Sequence, residues 1–117
     1  MSINMVGRSN SFIVKVGSRA TLQLTIKNSD GTAKNLTNDT TYATGKWKVW
    51  KPNGTLIIDG SITFSDRTNG IVTYTLGASD AIAANAGVWE GEIEIKDTSG
   101  TISEQTETFN FTIEESY

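Results

Sequence analysis

The sequence predicts an all-β chain, an antiparallel sandwich of seven to eight strands with one short helix near residues 79–86. Three observations carry this expectation. Within Lys46 to Leu76 the apolar runs KWKVW, TLII, SITF and IVTYTL are separated by Pro52-Asn53-Gly54, Asp59-Gly60 and the loop from Asp66 to Gly70, the punctuation of strands joined by tight turns. ATLQLTI alternates, with Leu22, Leu24 and Ile26 on one face and Thr21, Gln23 and Thr25 on the other, the period of a half-buried strand. Two tryptophans, Trp47 and Trp89, lie on separate strand-like runs at sandwich spacing.

Residues 1–11 are polar and aperiodic, and read as a flexible N-terminal arm ahead of one domain at 12–117. FIVKV opens the periodic part, and Val16-Gly17-Ser18 forms a corner before ATLQLTI. Asn28-Ser29-Asp30-Gly31 breaks that strand with residues that favour turns. A long polar connection, 32–45, follows, in which the isolated Leu36 is expected to plug the core. In KWKVWK, Trp47 and Val49 point inward while Lys46, Lys48 and Trp50 share the outer face. TLII and SITF are expected to form a hairpin across Asp59-Gly60, a preferred two-residue connection. IVTYTL then places Val72, Tyr74 and Leu76 inward, and Ser79 or Asp80 would cap a short alanine-rich helix ending at Gly87. In VWEGEIEIK, Trp89, Gly91, Ile93 and Ile95 alternate with Val88, Glu90, Glu92 and Glu94, and the last strand turns Phe109, Phe111 and Ile113 inward.

Together these runs fit an immunoglobulin-like β-sandwich. Asn85-Ala86-Gly87-Val88-Trp89-Glu90-Gly91 is similar to the Asp-x-Gly-x-Tyr-x-Cys corner of immunoglobulin domains. Trp in place of Tyr and Gly in place of Cys remove the hydroxyl bond and the disulfide found there.

The composition narrows function by exclusion. The chain of 117 residues has no cysteine and no histidine, so disulfides, thiolate metal sites, Cys nucleophiles, Ser-His triads and imidazole proton shuttles are all absent. Ten Lys and Arg against thirteen Asp and Glu give a net charge of -3, without the basic footprint that nucleic acid or an anionic membrane recruits. The N-terminus lacks the apolar core of a signal peptide, which points to synthesis in a cytoplasm. Four Asn-x-Thr sequons, at Asn35, Asn38, Asn53 and Asn110, are expected by chance in a chain so rich in Asn and Thr. No glycine-rich phosphate loop precedes a helix, and Asp59, Asp66, Asp80 and Asp97 stand beside turn residues, so no enzymatic activity and no cofactor are expected.

Two constellations merit weighing. Glu90, Glu92 and Glu94 project from one strand face. Same-face positions lie nearly 7 Å apart, too far to gather around a cation unaided. Pairing with Lys46 and Lys48 across the ladder is the stronger reading. Trp50 is an aromatic on a lysine-bearing face. It suits a protein interface, where tryptophan anchors binding, or a sugar platform, or it packs at a local bulge. The interface candidates are therefore Trp50, Lys48 and, on the arm, Arg8.

The strings GSRATLQLTIKNSDGTAKNLT, KWKVWKPNGTLIIDG, NGIVTYTL, AGVWEGEIEI and TFNFTI resemble the N-terminal domain of phage baseplate upper proteins over about residues 16–113. The resemblance implies a virion structural protein that binds other virion proteins and copies of itself, as a baseplate, neck or tail adaptor or a capsid decoration protein. It transfers no catalytic residue. A carbohydrate-binding or adhesion module with Trp50 as platform and a host glycan as ligand is the alternative.

Overall fold

The computed structural model describes residues 11–115. Among the described residues nine strands form two sheets packed as an immunoglobulin-like sandwich. They are β1 (Ser11–Lys15), β2 (Thr21–Thr25), β3 (Thr44–Trp50), β4 (Leu56–Ser61), β5 (Thr63–Asp66), β6 (Ile71–Thr75), β7 (Gly87–Lys96), β8 (Ile102–Gln105) and β9 (Phe109–Glu114). The larger sheet runs β1-β9-β7-β3-β4, with β8 pairing the other end of β7. The smaller runs β2-β6-β5. β1 lies parallel to β9 and all other pairs are antiparallel. The N-terminal arm expected at 1–11 falls outside the described residues except for Ser11, which opens β1.

Strand alternation sorts the side chains as the sequence suggests. Trp47, Val49, Ile93, Ile95, Phe109, Phe111 and Ile113 face inward from the large sheet, and Leu24, Ile26, Val72 and Leu76 meet them from the other side. The Phe12 ring lies edge-on to Trp47 at 4.9 Å and to Phe109 at 5.0 Å, a geometry that adds roughly 0.5–1.5 kcal/mol per pair beyond burial. Leu36 is fully buried, the plug that its isolation in a polar connection implied.

Two local expectations fail, each for a tertiary reason. Asp59-Gly60 does not turn: β4 runs straight through it, pairs with β3, and changes sheets at Ile62, whose N–H donates to the Gly45 carbonyl at 3.0 Å. Gly60 is demanded by proximity, since a Cβ there would meet the Tyr74 ring at 2.1 Å. The helix near 79–86 is a single 3-10 turn, Ala83–Asn85, preceded by extended Ile82 and without a side-chain cap. Asp80 cannot cap it because its carboxylate points backward, accepting the Gly77 N–H at 2.7 Å and the Tyr74 hydroxyl at 2.5 Å. Burial and this carboxylate push the Tyr74 hydroxyl far above the usual phenol range.

The long connection is held by its own turns and one distant cation. Asp30, Asn35 and Asn38 each accept the backbone N–H two residues on, from Thr32, Thr37 and Thr40. Asn53 and Asp97 do the same for Thr55 and Ser99. Three of the four sequons are thus Asx-turns. The Arg67 guanidinium donates to the carbonyls of Leu36 at 2.9 Å and Tyr42 at 2.8 Å, with the Phe64 ring 4.0 Å away.

Candidate protein interface

The outer face of the large sheet has a charged end and an apolar end, both following from residue parity. β3 and β7 pair in the register Lys46↔Glu94, Lys48↔Glu92 and Trp50↔Glu90, so the lysines do face the acidic row. The ion pair is diagonal: Lys48 Nζ meets Glu94 Oε1 at 3.1 Å, with Lys96 at 4.0 Å, while Glu92 accepts from the Gln105 amide. Glu94 is nearly buried, so three strands contribute to a packed polar network at that end. Lys48, a candidate contact residue, is thereby committed to the sheet's own charge balance.

At the other end one register row crosses the sheet as Leu56, Trp50, Glu90, Asn110 and Ser11. The next row along is Val88, Thr112 and Ile13. A bulge at Ile57, opposite the step from Val49 to Trp50, pairs Leu56 with Trp50 and so turns Leu56 to the outer face although Ile58 points inward. Trp50 is half-buried on the outer side, beside Leu56 at 47%, Val88 at 66% and Ile13 at 63% exposure. Single exposed apolar residues are ordinary; here several gather on one face of one sheet. Glu90 stands among them with no ion-pair partner within the described residues. Arg8 lies outside the described residues.

The opposite face offers less. On the small sheet the hydroxyls of Thr21 and Thr75 bond each other at 2.8 Å and those of Ser65 and Thr73 at 2.7 Å, so this surface satisfies its own polar groups. The corner of β7 is also internally closed. The Trp89 indole N–H donates to the Asn85 carbonyl at 2.7 Å, supplying from nitrogen the upstream backbone bond that an immunoglobulin corner makes from a tyrosine hydroxyl.

Sequence reasoning singled out Trp50 and missed Ile13, Leu56 and Val88. For Ile13 and Val88 the signal was parity, since each is a large aliphatic at an outward position of its strand; Leu56 had none, because it shares the parity of the inward Ile58 and turns outward only through the register shift in β4.

The family model of the BppU N-terminal domain matches residues 8–117. The chain belongs to the family of phage baseplate upper protein N-terminal domains. Among solved structures it is similar to the N-terminal domain of phage TP901-1 ORF48, at 18% identity and a TM-score of 0.67, covering 90% of this chain and 85% of that one. It is also similar to CopC from Methylosinus trichosporium OB3b, at 14% identity and a TM-score of 0.55, covering 100% and 97%. Both likenesses concern the fold. No curated protein matches the chain at a significant level. Family membership gives this domain a structural role in the phage baseplate, within the virion and in contact with other virion proteins.

Proposed function

We propose that this BppU-type domain is a non-catalytic assembly module that docks onto another baseplate protein through the apolar end of its large sheet. The observation that carries the reading is the cluster of Trp50, Leu56, Val88 and Ile13 on two adjacent register rows. A flat sheet face with an aromatic anchor, aliphatic neighbours and a polar border has the composition of a protein interface centre and rim. The role is that of an adaptor or accessory subunit, present in several copies per particle.

The charged end supports specificity. Its network of Lys48, Glu94, Lys96, Glu92 and Gln105 is satisfied internally, so a partner covering it would leave ions without water. At the apolar end only the Glu90 carboxylate carries such a penalty, which a cation on the partner would offset. Leu56→Asp and Val88→Asp are expected to abolish co-sedimentation of the domain with purified baseplates, while Gln23→Asp on the small sheet leaves it intact. Equal retention of all three variants would remove the large-sheet face from consideration.

A further inference from the structure

The small sheet has an open edge at β2, and the hydrogen-bond parity of that strand shows what the edge offers. The β2–β6 ladder is bracketed by the Leu76 N–H donating to the Ala20 carbonyl at 2.9 Å and the Ile26 N–H donating to the Gly70 carbonyl at 2.8 Å. Between them Leu22 faces Tyr74 and Leu24 faces Val72. The even residues therefore bond β6, while Thr21, Gln23 and Thr25 turn their N–H and C=O groups the other way. The 2.8 Å contact between the Thr21 and Thr75 hydroxyls agrees, because side chains come closest in pairs that share no backbone bond. Among the described residues β6 is the only strand beside β2, and nothing takes those outward groups.

An open edge is a template for a further strand, and charged side chains are a common guard against it. The other edge strands β1, β4, β5 and β8 carry Lys15, Asp59, Asp66 and Glu104. β2, with the sequence TLQLT, carries no charge. Its charges stand just beyond its ends. Arg19 and Lys27 lie four residues either side of Gln23, neither in an ion pair among the described residues. A second copy pairing antiparallel about Gln23 would set Arg19 against Lys27 at both ends, like charge against like. A strand with carboxylates at its two ends meets opposite charge there in either direction.

We propose that the free edge of β2 takes an extended segment of another virion protein as a fourth strand of the small sheet. The segment is uncharged over about five residues, the length of β2, and carries a carboxylate at each end. The added strand lies in the plane of the sheet, so it leaves the hydroxyl face in solvent and the large-sheet face free. The chain can thus join two partners, and the proposal does not rest on the docking reading.

Amide hydrogen exchange of this chain, isolated and as the resident copy in assembled baseplates, tests it. In the isolated chain Leu22 and Leu24 should exchange slowly and Thr21, Gln23 and Thr25 fast. In the baseplate those three outward amides should slow by about tenfold or more. Arg19→Glu/Lys27→Glu should bring them back to within about threefold of the isolated rate. Exchange of the three amides unchanged on assembly would overturn the proposal, leaving Arg19 and Lys27 as guards of an edge that stays open. Protection that grows with concentration in the isolated chain would overturn it too, by placing a second copy on the edge.

Discussion

Arg67 is the side chain whose removal should cost this fold most for its exposure, and the loss can be worked from its contacts. Its Nη1 donates to two carbonyls of the long connection, Leu36 and Tyr42, at 2.9 and 2.8 Å. Each bond from a charged donor contributes about 1.5–3 kcal/mol. The Phe64 face at 4.0 Å adds about 0.5–1 kcal/mol. Arg67 and its bonds are only partly buried, so water recovers part of this, and Arg67→Met is expected to lose about 2–4 kcal/mol. At roughly 4 °C per kcal/mol for a domain of this size, Tm falls by about 8–16 °C. Arg67→Lys should lose less, keeping the charge but not the planar fork. The residue also couples to the core plug, because the Leu36 N–H donates to the Arg67 carbonyl at 2.8 Å. Leu36→Ala alone should cost about 2–5 kcal/mol, and the double variant should lose less than the sum. Urea unfolding of the four proteins reads these values. A loss below about 0.5 kcal/mol for Arg67→Met, or strict additivity, would refute the assignment of Arg67 as the tie between connection and small sheet.

Gly60→Ala places a methyl on the Tyr74 ring and is expected to cost about 1–3 kcal/mol by overpacking. Gly54→Ala would be a poor comparison because of its positive φ, whereas Tyr74→Ala should relieve the Gly60 variant if the ring is the obstacle. Tyr74 keeps its proton in the folded state to higher pH than the unfolded chain does. Its contribution is therefore complete below about pH 10 and fades as pH rises beyond it. Thermal melts between pH 9 and 12 should fall more steeply for the natural protein than for Tyr74→Phe; parallel slopes would contradict the Tyr74–Asp80 contact.

How far the sequence could be read depended on whether the deciding interaction was local. Inward and outward faces were legible in β2, β3, β7 and β9, because alternation is a property of neighbouring residues and the Trp47 and Trp89 strands do lie side by side. Asp59-Gly60 misled because its local preference for a turn was outweighed by Tyr74 from the other sheet. The helix at 79–86 dissolved for a similar reason, with Asp80 drawn toward Tyr74 and Gly77. Arg67 carried no sequence signal, since its acceptors are backbone carbonyls 31 and 25 residues away. At the candidate interface, Trp50 drew notice as an aromatic among lysines. Its companions Ile13, Leu56 and Val88 become a cluster only when the parallel pairing of β1 with β9 and the antiparallel pairing of β7 bring their strands into register.

A cryo-electron microscopy map of the assembled baseplate, at a resolution that shows side chains, tests the central claim most directly. Trp50, Leu56, Val88 and Ile13 are expected to be covered by a neighbouring baseplate protein while the hydroxyl face of Thr21, Thr73 and Thr75 remains in solvent. Burial of the hydroxyl face with the Trp50 end left open would contradict it.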